Sequence, residues 1–85
     1  MNTKLSEWDD FEDLVYDHIQ NYVIPQYGDY PDEMVEGWDI NIIKEYLGKY
    51  VRRIGTGQRG REAERDALKI AHYACYLLKK IREES

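Results

Sequence analysis

Apolar side chains recur every three or four residues in three segments of the chain, at about residues 7–24, 39–54 and 61–83. This spacing places them along one side of an α-helix, and no alternating apolar and polar run is long enough for a β-strand. A chain of 85 residues has room for one modest core. The sequence therefore predicts an all-α fold, a small bundle of three main helices in a single domain over residues 1–85.

Residues that cap or break helices set the predicted ends of these segments. Ser6 and Asp39 each stand where a side-chain oxygen can accept a hydrogen bond from the first turn. Pro25 has no amide hydrogen, so the first helix is expected to stop near Val23. Gly55 follows the second segment, where a left-handed residue commonly ends a helix. An irregular, aromatic-rich connector is expected at 25–38.

Each predicted helix carries an apolar stripe that we expect to form the core. On the first helix the stripe comprises Trp8, Phe11, Leu14, Val15, Ile19, Tyr22 and Val23. On the second it comprises Ile43, Tyr46, Leu47, Tyr50, Val51 and Ile54. On the third it comprises Ala63, Ala67, Ile70, Ala71, Ala74, Leu77, Leu78 and Ile81. The width of this last face predicts that the chain can form a homodimer, which would help so small a domain to reach stability.

Three smaller features are predicted to be structural. Gly48 inside the second helix is expected to mark a close contact with a neighbouring helix. Cys75 is expected to be a small core residue, because no base stands beside it in the sequence. His18 and His72 are expected to be partly buried, hydrogen-bonded side chains rather than catalysts or ligands.

Charge is divided unevenly along the chain. Residues 1–41 hold one basic and eleven acidic residues, a net charge of −10, whereas residues 42–85 hold eleven basic and six acidic residues, a net charge of +5. The acidic total argues against broad binding to nucleic acid. The chain has one cysteine, no signal-like start and no apolar run long enough to cross a bilayer, so we expect a cytoplasmic protein without a membrane partner.

The stretch RRIGTGQRGR at residues 52–61 gathers four arginines around three glycines. Arg52 and Arg53 complement the dipole at the end of the second helix, but Arg59 and Arg61 stand at the start of the third helix, where cations are unfavourable. Amides at a helix amino terminus beside guanidinium groups favour a phosphate site. The spacing does not match a P-loop. The alternative is a solvated turn whose arginines pair with the acidic first helix.

Paired carboxylates offer a second kind of candidate site, one for a metal ion. Asp13 and Asp17 lie four apart on the first helix, and Glu62 and Asp66 lie four apart on the third. If these faces met, four carboxylates could hold Mg²⁺ for phosphate chemistry. The favoured alternative is that Glu62 pairs with Arg65 or Arg61, and Asp66 with Lys69 or Arg65, all within the third helix. Glu62 and Asp66 are thus weak metal candidates, and Mg²⁺ would be needed only if nucleotide chemistry occurs.

Residues 44–81 contain a lysine-tyrosine-arginine motif, a glycine-containing basic turn and then a helix with regularly spaced leucine, lysine, alanine and tyrosine. The matching residues are Gly48, Lys49, Tyr50, Arg53, Gly55, Asp66, Leu68, Lys69, Ala71, Tyr73 and Leu78. This pattern resembles short helical phage-type proteins, some of which are nucleotide kinases. The resemblance implies a nucleotide phosphate as the class of ligand. It also implies that Lys49 and Arg53 contact that phosphate.

Two functional hypotheses follow. In the first, the basic helix-helix turn binds a phosphate-bearing ligand such as a nucleotide, with Lys49, Arg53, Arg59 and Arg61 as the anion contacts. In the second, the protein is a non-enzymatic structural or interaction module whose basic turn pairs with an acidic surface. The sequence identifies no catalytic residue in either case.

Overall fold

A computed structural model describes residues 3–29, 36–56 and 60–84. The described residues are 88% helical and include no strand, which confirms the predicted all-α class. The chain forms two compact units, Met1–Tyr30 and Pro31–Ser85. No described helix combines the length and the apolar character needed to cross a bilayer.

The first unit is a helical rod that is longer than the sequence predicts. Helix α1 spans Thr3–His18, a π-helical turn spans Ile19–Val23, and helix α2 spans Ile24–Tyr27. Ser6 therefore lies inside α1 rather than at its N-cap. The rod ends where Gly28 takes a φ of 88°, with its amide donating to the Ile24 carbonyl at 2.8 Å.

The predicted stop near Val23 is wrong because the chain absorbs Pro25 instead of ending before it. Proline cannot donate to the carbonyl four residues earlier, and its ring crowds that carbonyl. Immediately before Pro25 the helix widens, and the Ile24 amide donates to the Ile19 carbonyl, five residues back. A π turn of this kind is a common way for a helix to accommodate such a break.

The apolar stripe of α1 is only partly covered. Trp8 is 57% exposed and Leu14 is 59% exposed. The prediction that these two residues belong to the core is therefore wrong. Trp8 lies against Phe11, with ring centroids 5.4 Å apart. His18 is buried, and its ring stacks on Tyr22 at 5.2 Å.

The second unit is a helical hairpin. Helix α3 spans Ile40–Arg53 and helix α4 spans Arg61–Glu84. The Asp39 cap is confirmed, because its carboxylate accepts a hydrogen bond from the Ile42 amide at 2.9 Å. Gly55 has a φ of 87°, which confirms the predicted left-handed residue after α3. The Thr56 hydroxyl donates to the Arg52 carbonyl at 2.7 Å and so helps to close the last turn.

Contacts between α3 and α4 show that the two helices run in opposite directions. Arg53, at the end of α3, lies beside Asp66 near the start of α4, and Tyr46 lies beside Tyr73 farther along. At the far end the Lys80 ammonium donates to the Glu36 carbonyl at 2.7 Å. This bond ties the chain entering α3 to the last third of α4.

The core of the hairpin is small. Ile43 is completely buried and Tyr50 is 7% exposed, and these are the buried apolar side chains of the described residues. Val51 and Ile54 were predicted to join them but are exposed. Val51 lies about 100° around α3 from Tyr50, and Ile54 follows the helix in an extended conformation, so neither continues the buried side of α3. Cys75 is also exposed, so its predicted core position is wrong.

Gly48 has a different neighbour from the one that the sequence predicts. A Cβ atom at this position would meet the Arg52 guanidinium first, with Nη1 at 2.9 Å. Arg52 lies one turn later on the same helix. The close approach is therefore local and does not mark a contact between helices.

Candidate functional site

Three cationic side chains from both helices of the hairpin converge on one buried tyrosine ring. The Lys69 ammonium lies 5.3 Å from the centre of the Tyr50 ring, the Lys49 ammonium lies 5.6 Å from it, and the Arg53 guanidinium carbon lies 5.9 Å from it. These are cation-π distances. We call Lys49, Arg53 and Lys69, with Tyr50 between them, the basic cluster.

Helical spacing explains how the cluster forms. Tyr46, Lys49, Tyr50 and Arg53 lie three or four residues apart and so share one side of α3. On α4, Asp66, Lys69 and Tyr73 follow the same spacing. Because the helices are antiparallel, the end of α3 meets the start of α4, and their charged residues meet there.

A buried carboxylate holds one member of the cluster. Asp66 Oδ2 lies 3.5 Å from Arg53 Nε, and the Asp66 side chain is only 2% exposed while that of Arg53 is 36% exposed. The geometry is that of an ion pair rather than of a well-aligned hydrogen bond, since Oδ2 accepts no hydrogen bond from the described residues. The pair fixes the side of the guanidinium that carries Nε.

Aromatic rings continue the site toward the middle of the hairpin. Trp38 stacks on Tyr46 at 4.7 Å, and Tyr46 stacks on Tyr73 at 5.7 Å, with interplanar angles of 13° and 9°. Tyr50 meets Tyr73 at a tilt, with centroids 5.4 Å apart. Burial is the main cause that raises the pKa of the Tyr73 hydroxyl well above its usual range, and the hydrogen bond with Tyr50 raises it further. The hydroxyl therefore keeps its proton in alkali where an exposed tyrosine would lose it.

The predicted anion contacts fall into two groups. Lys49 and Arg53 meet in the basic cluster. Arg61 is exposed at the first residue of α4, about five residues and so roughly 7.5 Å along the helix axis from Asp66. Arg59 lies outside the described residues. Gly60 has a φ of 62°, and its carbonyl accepts the first backbone bond of α4 from the Glu64 amide at 3.0 Å.

The metal candidates do not assemble in the described part of the chain. Asp66 is buried against Arg53, whereas Glu62 is exposed. In the first unit Asp13 and Asp17 are exposed, and Asp17 accepts a hydrogen bond from the Asn21 side-chain amide at 2.6 Å. Over residues 3–29, 36–56 and 60–84, no three histidine, cysteine or acidic side chains group closely enough to hold a metal ion.

Sequence reasoning missed Lys69 as a site residue and Arg53 as the partner of Asp66. It paired Asp66 with Lys69 or Arg65 on its own helix instead. The last two helices were expected to form a hairpin, but the pairing of residues across it was not worked out, although its short turn brings the last residues of α3 opposite the first turns of α4. Counting outward from the turn would have placed Arg53 near Asp66 and Tyr50 near Lys69.

Comparison with known proteins adds no relatives. The chain matches no protein-family model, no curated protein and no solved structure.

Proposed function

We propose that this protein binds a phosphate-bearing ligand at the basic cluster, with a nucleotide as the ligand class. The observation that carries the proposal is the convergence of Lys49, Arg53 and Lys69 within 5.3–5.9 Å of one tyrosine ring. Three cations around one ring repel one another, and an anion bound beside them would relieve that repulsion.

The neighbouring Asp66 offsets one of the three charges and leaves a net positive site. Its ion pair also orients Arg53, so less side-chain entropy is lost when the guanidinium meets a phosphate. Arginine supplies directional donors to phosphate oxygens, while the two lysines act as mobile point charges. Arg61 lies close enough along α4 to add a longer-range attraction.

The aromatic layer supports a nucleotide rather than phosphate alone. Trp38, Tyr46 and Tyr73 lie nearly parallel beside the cluster, and Trp38 and Tyr46 are partly exposed. Stacking of a base on such a ring contributes about 1–3 kcal/mol. A phosphate on the cations and a base on the rings would use both parts of the site. A cytoplasmic location, where nucleotides are abundant, belongs to the same proposal.

Amide NMR titrations of the whole chain with inorganic phosphate, adenosine and AMP test the proposal. We expect phosphate and AMP to shift the amides of residues 49–53 and 66–69, and AMP alone to shift Trp38 and Tyr46 as well. Lys49→Gln should weaken AMP binding about fivefold, the equivalent of about 1 kcal/mol for one charge-assisted contact. Lys44→Gln is the matched control, because Lys44 is an exposed lysine on α3 outside the cluster.

Two results would contradict the proposal. If neither phosphate nor AMP shifts these amides at millimolar concentration, the cluster does not recognise phosphate. The alternative of a structural or interaction module would then be favoured. If adenosine binds as well as AMP does, the site recognises the base and not the phosphate.

A further inference from the structure

A lysine near the end of α4 holds the chain that leads into α3. The Lys80 ammonium donates to the Glu36 carbonyl at 2.7 Å and lies 3.6 Å from Glu83 Oε2, and the Lys80 side chain is only 15% exposed. A lysine is seldom covered to this extent unless its charge is paired. Lys80 therefore keeps the Glu36 carbonyl in a defined place against α4.

This bond lies next to the tryptophan of the aromatic layer. Trp38 comes two residues after Glu36 and one residue before Asp39, whose carboxylate caps α3. The short stretch that carries the Trp38 ring is thus held at both ends, by Lys80 on one side and by the cap on the other. Gly37 lies between the bond and Trp38, and a glycine leaves the backbone free to adopt many conformations when its neighbours are not fixed.

The Trp38 ring is packed on one part of its surface and open on another. It is nearly parallel to the rings of Tyr46 and Tyr73, with centroids 4.7 and 6.1 Å away and interplanar angles of 13° and 12°. The residue is partly exposed, so these contacts cover only part of the ring. A nucleotide base stacks best on a ring that is already held in place, because ordering a mobile side chain on binding costs conformational entropy.

We infer that Lys80 is a positioning residue for nucleotide binding, because it fixes the segment that carries Trp38 and so holds the ring on which the base stacks. This inference rests on the proposed function, which assigns the base to the aromatic layer beside the basic cluster. Lys80 itself does not reach the phosphate, since it follows Lys69, the phosphate contact of α4, by eleven residues, roughly 16 Å along the helix axis. Its effect on binding passes through Trp38.

Calorimetric titrations of the whole chain with AMP and with ribose 5-phosphate test the inference, because only AMP carries a base. We expect AMP to bind about tenfold more tightly than ribose 5-phosphate, as stacking of one base would give. Lys80→Met keeps the length of the side chain but removes the ammonium, so it should reduce this ratio to about twofold and leave the affinity for ribose 5-phosphate unchanged. Lys80→Arg should keep the ratio, since a guanidinium can still donate to the Glu36 carbonyl.

Two further variants separate a positioning role from a general loss of stability. Lys79→Met is the matched control, because Lys79 is the neighbouring lysine on α4 and is exposed. Trp38→Leu should lower the ratio of the two affinities as far as Lys80→Met does. Adding Lys80→Met to Trp38→Leu should then lower it no further, because both residues act through one ring. Lys80→Gln replaces Lys80→Met in these tests if circular dichroism shows that Lys80→Met loses helical content.

Proton NMR contacts between the rings of Trp38 and Tyr46 report the position of the tryptophan without any ligand. These contacts should weaken in Lys80→Met and persist in Lys79→Met. Unchanged ring contacts in Lys80→Met would overturn the inference. So would an affinity ratio that Lys80→Met leaves at its wild-type value, or a loss of affinity that AMP and ribose 5-phosphate share equally. If the wild-type chain binds neither ligand, the proposed function fails, and the ring contacts alone then decide whether Lys80 positions Trp38.

Discussion

Arg53 at the end of α3 and Asp66 near the start of α4 form an ion pair that joins the two helices of the hairpin, with Nε and Oδ2 3.5 Å apart. The pair combines an almost fully buried carboxylate with a guanidinium that still reaches solvent. The Asp66 charge therefore needs its partner more than the Arg53 charge does, because only Arg53 can be solvated by water. Removing Arg53 should consequently destabilise the hairpin more than removing Asp66.

Replacing Arg53 alone should destabilise the protein because it leaves the Asp66 carboxylate buried without its cation. Loss of one partner of a fully buried pair costs about 3–5 kcal/mol, and the 36% exposure of Arg53 reduces our expectation for Arg53→Met to about 2 kcal/mol. The double variant Arg53→Met/Asp66→Leu should recover most of this loss. Urea unfolding measures both. A double variant as unstable as the single one would show that the pair itself, and not the stranded charge, sets the stability.

Tyr73 should make the protein less stable in alkali. Burial raises its pKa in the folded state, so above about pH 10 the unfolded chain loses the tyrosine proton while the folded chain keeps it. The unfolded state then binds fewer protons, and the free energy of unfolding falls as pH rises. Tyr73→Phe should make this fall shallower, whereas Tyr16→Phe, at a site that is 68% exposed, should not. Urea unfolding at several alkaline pH values gives the slopes, and equal slopes for the two variants would contradict the assignment.

Two glycines near the end of α3 should respond to alanine in opposite ways. Gly48→Ala should stabilise the protein by up to about 1 kcal/mol, because alanine favours the helix and the flexible Arg52 side chain can move aside. Gly55→Ala should destabilise it by about 1 kcal/mol, because its φ of 87° strains any residue with a Cβ atom. Thermal unfolding of the two variants makes the comparison. A destabilised Gly48→Ala would mean that Arg52 is held more firmly than its position suggests.

Pro25→Ala should convert the π turn into regular α-helix. The substitution restores an amide that can donate to the Asn21 carbonyl and removes the ring that crowds it. We expect the bond from the Ile24 amide to the Ile19 carbonyl to be replaced by bonds of α-helical spacing. Carbon chemical shifts and amide exchange over residues 19–27 would report the change. An unchanged pattern would show that the π turn has a cause other than the proline.

Local signals in the sequence predicted the fold well where one residue decides the outcome. Asp39 caps α3 and Gly55 follows it in the left-handed conformation, because each depends on its own chemistry and its immediate neighbours. The predicted end of the first helix was wrong because it rested on a single local signal, the proline. A helix can continue past a proline by forming a π turn. The residues around Pro25 do not indicate whether the helix ends there or continues.

Contacts between helices were harder to predict than helices themselves. A periodic stripe gives the apolar side of a helix but not how much of it another helix covers, so Val51 and Cys75 were placed in a core that does not include them. Two members of the basic cluster, Lys49 and Arg53, were predicted as anion contacts from the sequence. Lys69 and the role of Asp66 required the pairing of α3 with α4, which the sequence of either helix alone does not contain.

The two tryptophans give the protein a built-in optical assay. Trp8 lies in the unit Met1–Tyr30 beside Phe11, and Trp38 lies in the unit Pro31–Ser85 stacked on Tyr46. Because the chain has two tryptophans in all, Trp8→Phe and Trp38→Phe each leave a fluorophore that reports on one unit. Coincident fluorescence transitions in the two variants would indicate cooperative unfolding of the predicted single domain, and separate transitions would give each unit its own stability.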